Sequence, residues 1–316
     1  MFRIDTHHHI IPQPYLDTLA EFGITAAGGM QFPKWDERGM LEVMDNFQIK
    51  TAFTSISSPG VYFGNIPLAV KLARICNDFS AELMAKYPKR LGAFATLPLP
   101  DVAQSLKEIE HAFDKLKLDG VVLLSNYGEH YLGHPDFQPV FDELNKRHAI
   151  VFIHPTDPIG YQNSVIPLPA WMIEFPCDTT RAVADLLYSG RLHQCDKIKF
   201  ILSHAGGATP YLAGRMALLE LVKPAIKEIV PDGPINYLKR LYFDTALSTS
   251  TTTLNCLLDF VPPSQILFGS DFPFMPLPGI KMETLELDNY LKSDSELHRQ
   301  ITHENAELLF PRLLTG

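Results

Sequence analysis

A single (β/α)8 barrel of the α/β class, the TIM-barrel architecture, is the fold this 316-residue sequence predicts. Three observations predict it. Short apolar runs rich in Val, Ile, Leu, Phe and Ala recur eight times with little polar alternation, as in parallel strands buried on both faces. Stretches of helical periodicity separate these runs. Histidines and an aspartate stand where four of the runs end, and in a barrel those ends meet on the C-terminal face, where active sites form.

The expected strands cover residues 2–7, 51–57, 91–97, 120–125, 150–154, 199–203, 241–245 and 265–269. The expected helices between them cover 37–47, 67–86, 103–115, 137–146, 179–189, 209–227 and 251–261. Eight-fold alternation favours a closed barrel over two small sheets. No G-x-G-x-x-G follows a strand and no Pro/Ser/Gly-rich linker divides the chain, so residues 1–316 are expected to form one domain. Two long connections, 10–36 and 155–178, follow the first and fifth strands. They should distort the barrel as insertions over its C-terminal face. Residues 281–314 read as extra closing helices.

Hydrophobic residues make up 46% of the chain and charged residues 20%, which suits a globular protein with a large core. No run of 18 apolar residues is present, so no membrane span is expected. No basic region followed by an apolar stretch opens the chain, so no secretory signal is expected either. The net charge of −9, without any basic run, argues against a nucleic-acid surface. Cys76, Cys177, Cys195 and Cys256 are scattered and form no C-x-x-C. Free thiols in a reducing cytoplasm are their simplest account.

The first strand ends in Asp5-Thr6-His7-His8-His9. Alternate strand residues share a side, so His7 and His9 face together as a metal clamp while His8 faces away into a structural role. The bland reading is three surface histidines, which the i, i+2 doublet makes the weaker one. The fifth strand ends in Phe152-Ile153-His154-Pro155, where His154 alone would as readily be a core histidine. The sixth ends in Leu202-Ser203-His204-Ala205-Gly206-Gly207, with glycines that permit a tight turn. The eighth ends in Phe268-Gly269-Ser270-Asp271-Phe272-Pro273, where a carboxylate after an apolar run suits a ligand or base. Strand four runs into Leu124-Ser125-Asn126, without the lysine that bridges two metals in barrel sites of this type, so one metal is expected.

The combination D-x-H-x-H, H-P, S-H-x-G-G and G-S-D-F-P-F resembles the amidohydrolase superfamily. Within it the chain resembles the branch of aminocarboxymuconate-semialdehyde decarboxylase and the aromatic-acid decarboxylases. Trp35-Asp36, Tyr87-Pro88-Lys89-Arg90, Thr96-Leu97-Pro98 and the stretch from His204 to Arg215 extend the likeness over nearly the whole length. The resemblance implies metal ligation by His7, His9, His154 and Asp271, with His204 as acid/base beside the metal. It implies zinc as the metal, or manganese as in some relatives. Arg215 matches an arginine that can reach a substrate carboxylate, in some members across a homodimer interface; a surface or interface salt bridge is its competing role. Two departures bear on the substrate. Where the semialdehyde decarboxylase has a carboxylate-gripping arginine this chain has Met40, with Arg38 two residues earlier. Salicylate- and resorcylate-type enzymes often carry Glu in place of the first histidine, whereas this chain has His7.

The expected reaction is nonoxidative decarboxylation of a small aromatic or unsaturated carboxylic acid. A divalent cation takes up negative charge as the C–C bond breaks, and His204, or a protonated Asp271, returns a proton to carbon. Metal-assisted hydrolysis of a lactone, amide or ester is the alternative, and a noncatalytic metal- or ligand-binding barrel a more distant one. Trp171, Phe274, Phe175 and Tyr127 are candidate substrate contacts, although ordinary packing is the favoured account of each.

Overall fold

The computed structural model describes residues 2–161 and 167–314. Eight parallel strands follow one another around a nearly closed barrel in strictly sequential order. They are β1 (Arg3–His9), β2 (Ile49–Ser55), β3 (Leu91–Thr96), β4 (Gly120–Leu124), β5 (Ile150–His154), β6 (Lys199–Leu202), β7 (Tyr242–Asp244) and β8 (Ile266–Leu267). Each of the eight expected strands is present, with bounds shifted by a few residues at most. The last strand returns to the first through a short set of bonds. Thr6 N–H donates to the Phe268 carbonyl (2.9 Å), Asp271 N–H to the His7 carbonyl (2.9 Å) and His9 N–H to the Phe272 carbonyl (2.6 Å).

The barrel interior is filled from alternating strand positions. Ile4, Phe53, Phe94, Val122, Phe152, Ile201 and Leu267 form a buried cluster of their own, distinct from the larger core under the helices. Phe310, from the C-terminal segment, joins this cluster and stacks on Phe53 with ring centroids 3.7 Å apart. The barrel is therefore plugged at one end by the chain's last turns. Its other end carries the polar strand termini.

Helices cover the outside where the periodicity places them: α2 (Glu37–Asn46), α3 (Ile66–Lys86), α4 (Val102–Glu110), α5 (Gln138–Lys146), α6 (Ala170–Tyr188), α7 (Thr209–Ala217), α8 (Thr251–Phe260) and α9 (Leu277–Leu291), after α1 (Gln13–Glu21) in the first insertion. Asp36, Asn65, Asp101 and Ser250 each cap a helix by accepting the backbone N–H of the residue three positions on.

Two helices depart from expectation. The run 209–227 breaks after Ala217 into the short turns Leu219–Val222 and Ile226–Ile229. Pro224 disfavours helical geometry at Lys223, which sits at φ −135°, ψ 78°. In contrast, α6 begins nine residues before the expected 179, at Ala170, and carries Pro176 inside it. That proline cannot donate to the carbonyl four residues back, so the first turns of α6 are only loosely coupled to the rest.

The two insertions meet over the C-terminal face. The first forms a small hairpin, Ala26–Ala27 with Met30–Gln31, turned by Gly28 and Gly29 at φ +58° and +83°. A Cβ on Gly28 would lie 2.6 Å from the Phe175 ring of α6, so only glycine allows this approach. Among the described residues no helix is long and apolar enough to cross a membrane.

Candidate metal centre

His7, His9, His154 and Asp271, the proposed ligands, converge on the C-terminal mouth of the barrel, each offering one ligand atom, all within 4.8 Å of one another. His7 Nε2 and His9 Nε2 lie 3.0 Å apart, and each is 3.2 Å from Asp271 Oδ1. All four residues are buried.

The other ring nitrogen of each histidine is engaged. His7 Nδ1 meets Asp244 Oδ2 at 2.8 Å, His9 Nδ1 lies 2.9 Å from Ser55 Oγ and 3.3 Å from the Ser55 carbonyl, and His154 Nδ1 meets the Pro155 carbonyl at 2.7 Å. A carboxylate or carbonyl can only accept, so each Nδ1 carries a proton; the neutral His9 and His154 rings then present an Nε2 lone pair to the centre, as His7 does once its second proton leaves. Asp271 Oδ1 adds a buried carboxylate oxygen that has no hydrogen-bond partner. These three Nε2 atoms and the carboxylate oxygen stay together only with positive charge among them, either the proton on His7 or a cation that replaces it. The donor set therefore fits a single divalent metal.

Electrostatics point the same way. Burial pushes the His9 imidazole down to about 4 and His154 well below its ordinary range, so both are neutral donors near neutral pH. Burial would lower His7 too, but the Asp244 and Asp271 carboxylates outweigh it and raise it to about 10. Burial would raise Asp271, yet the neighbouring His7 and His9 hold it well below the usual carboxylate range. A cation entering here displaces the proton held by His7.

His204 stands beside this group, with its ring centroid 4.7 Å from that of His7 and 5.8 Å from that of His154. Its Nδ1 lies 3.2 Å from the Ala246 carbonyl, which leaves Nε2 as the working atom. Burial first, and then the charge on His7, lower its pKa. The backbone around it is strained: His204, Ala205, Gly206 and Gly207 all have positive φ, as does Asp271. Non-glycine residues held in that region cluster at functional sites. Gly207 lets the turn press on α6, because a Cβ there would meet the Pro176 carbonyl at 2.0 Å.

Sequence reasoning missed Asp244. Fully buried, it accepts His7 Nδ1–H on one oxygen and the backbone N–H groups of His204 (2.9 Å) and Ala246 (3.0 Å) on the other. One carboxylate thus orients a proposed ligand, His7, and the candidate acid/base, His204, together. Its signal was legible: it ends β7 behind Tyr242-Phe243, as Asp271 follows the apolar run of strand eight. Asp5 plays the matching part behind the metal group, accepting from Ser270 Oγ (2.5 Å) and from Nδ1 of His8 (2.9 Å). His8, turned away, stacks on Phe272. We expect Asp244→Asn to weaken metal affinity about 10–100-fold without unfolding the protein, read by competition with a chromophoric chelator.

Above the centre lies a cavity of about 390 Å³. His154, His204 and Asp271 form its polar floor, while Trp171, Met172, Phe175 and Phe274 are prominent in its walls. Ser57, Ser58 and Ser248 are its neutral polar groups, and among the described lining residues there is no lysine or arginine. Trp171, Phe175 and Phe274 thus reach the cavity. Tyr127 is buried elsewhere, its Oη accepting the Leu124 N–H. Arg215 is exposed on α7 and does not line the cavity of its own chain. Met40 is fully buried in the core, and Arg38 is exposed and paired with Glu42 at 2.7 Å.

The amidohydrolase family profile matches residues 4–312. The chain is 38% identical over 317 residues to a 6-methylsalicylic acid decarboxylase of Penicillium expansum, covering 99% of this chain and 97% of that one. A solved structure described as an amidohydrolase II superposes with a TM-score of 0.87 at 28% identity, covering 99% of this chain and all of the other. A dihydroxybenzoic acid decarboxylase of Polaromonas sp., solved with bound manganese and 2-nitroresorcinol, shares the fold at 23% identity and a TM-score of 0.81 over 98% of this chain and 97% of that one.

Proposed function

The chain belongs to the amidohydrolase family, and from that membership we propose a metal-dependent nonoxidative decarboxylase, a carboxy-lyase, acting on aromatic monocarboxylic acids. The observation that carries this reading is the cavity: a His/Asp floor fit for one cation beneath apolar and aromatic walls that carry no fixed positive charge among the described residues. The full-length likeness to a decarboxylase of a methyl-substituted hydroxybenzoic acid supports it.

We assign metal ligation to His7, His9, His154 and Asp271, proton transfer to His204, and substrate packing to Trp171 and Phe274. A bound divalent cation supplies Lewis acidity, taking up negative charge from the oxygens of the substrate. The apolar walls exclude water and hold the ring over the floor. As the bond between ring and carboxyl carbon breaks, its electron pair remains on the ring carbon and CO2 departs. His204 Nε2 is the group we assign to deliver the proton to that carbon; Asp271 is the second candidate donor. Hydrolysis of a lactone, amide or ester would use the same floor, but among the described residues the neutral polar groups of the walls are the serines Ser57, Ser58 and Ser248.

Zinc is the metal we propose, because three imidazoles and one carboxylate suit its four-coordinate preference, with manganese as the alternative. We further propose a cytoplasmic homodimer. All four cysteines are free. Beside Arg215, the side chains of Tyr211, Leu221 and Val222 stand 81%, 78% and 75% exposed, an apolar surface suited to a second copy.

The test is a panel of hydroxybenzoic acids offered to zinc- and manganese-loaded protein, with CO2 and phenol measured together. Monocarboxylates with apolar ring substituents should turn over, and dicarboxylates should fall behind them by at least about tenfold, since a second carboxylate finds no cation among the described wall residues. Acid production from esters or lactones without CO2 from any member of the panel would defeat the decarboxylase reading.

A further inference from the structure

The position where a two-metal barrel would place its bridging lysine is occupied here by Ser125 and Asn126, and both turn to a buried aspartate outside the metal group. Asp178, in α6, is fully buried. Its Oδ2 accepts from Ser125 Oγ at 2.5 Å and Asn126 Nδ2 at 2.8 Å, and its Oδ1 from Tyr131 Oη at 2.6 Å. Arg181 stands 3.6 Å from Oδ1.

The same groups hold the other end of the second insertion. Ser125 Oγ accepts the Thr156 N–H (3.1 Å), Asn126 Nδ2 also donates to the Asp157 carbonyl (3.1 Å), and Thr156 Oγ1 lies 3.0 Å from Ser58 Oγ in the cavity wall. Thr156 is two residues beyond His154. On its other side α6 is bound to the turn bearing His204. Thr180 Oγ1 donates to the Pro176 carbonyl (2.8 Å) and accepts the Ala208 N–H (2.9 Å).

We propose that Asp178 is a positioning residue that sets the aromatic wall of the cavity against the strand ends carrying His154 and His204. Trp171, Met172 and Phe175 lie just before Pro176, which interrupts the hydrogen bonding of α6, so the cavity-facing turns need an anchor at the break. Asp178 is that anchor. Its carboxylate only accepts, and three donors converge on it; an amide would turn an N–H2 toward at least one of them. The consequence for substrate rests on the decarboxylase reading, whereas the consequence for the wall does not.

The experiment compares Asp178→Asn, the milder Tyr131→Phe and the control Asp185→Asn in the metal-loaded full chain. Asp185 lies two turns further along the same helix and accepts the Gly133 N–H at 2.5 Å, outside the insertion. Hydrogen exchange over residues 167–177 should quicken about tenfold in Asp178→Asn, less in Tyr131→Phe and not at all in Asp185→Asn. With salicylate as the probe ligand, calorimetric Kd should weaken about tenfold in Asp178→Asn, and KM for a turned-over acid should rise by the same factor with kcat within about threefold. Metal content should not change. Asp178→Asn and Asp185→Asn lowering the melting temperature alike, with exchange and Kd at wild-type values, would reduce Asp178 to a structural residue and overturn the proposal. A wild-type protein that neither binds salicylate nor releases CO2 would instead remove the decarboxylase reading. The exchange data would still decide the role of Asp178.

Discussion

Replacing His204 with asparagine leaves the cation bound and lowers turnover by roughly 10²–10⁴-fold, the scale of a lost acid/base group. The expectation follows from geometry. His204 is beside the ligands but is not one of the four groups that converge, and its Nδ1 is held by the Ala246 carbonyl rather than turned to the centre. Asparagine keeps a polar side chain in the strained turn, and the backbone N–H to Asp244 survives because it belongs to the main chain. What is lost is a group able to carry a proton to carbon. Metal content by atomic emission, with kcat on the best acid of the panel, checks both halves. A variant that loses its metal as readily as a ligand variant would show that His204 had been given the wrong role.

The opposite pattern is expected from Asp271→Ala and His154→Ala. Each removes one of four donors, and Asp271 is the only carboxylate in the set, so its loss leaves three neutral or competing imidazoles around the site. Affinity should fall by more than about 100-fold, beyond the ~10–100-fold cost of losing a supporting group such as Asp244. Activity should vanish at stoichiometric metal and return in part when metal is added in excess. Equilibrium dialysis against zinc and against manganese measures the first effect, and a metal titration of turnover the second. Full retention of metal by Asp271→Ala would remove the carboxylate from the ligand set.

Much of the fold could be read from the chain because its signals are local. Eight apolar runs, each too short and too uniformly apolar to be amphipathic helices, specified parallel strands buried on both faces, and the strand ends could be inspected one at a time. The early start of α6 could not be read, because Pro176 masks the six helical residues before it. Nor could the break after Ala217 be placed without weighing Pro224 against a helical pattern that continues past it. At the site, residues identified by strand position came together. Those that act through others did not stand out: Asp244, Asp5 and Asp178 derive their roles from partners 40, 265 and 53 residues away. Arg215 illustrates the converse, since a motif match said nothing about which way the helix turns its side chain.

The bonds that join β8 to β1 carry an implication for how the protein is assembled. His7 and His9 belong to the first strand, Asp271 follows the last, and the seam between them is closed partly by the main chain of these same residues. During synthesis the two histidines emerge first and wait for more than 250 residues before their fourth companion exists. If the four proposed ligands act together, a cation would bind fully only after the ring has closed, and would then oppose reopening by mass action. On the proposed ligand set, loading thus serves as a completion signal: a chain truncated or misfolded before its final strand lacks the carboxylate and would hold the ion only weakly.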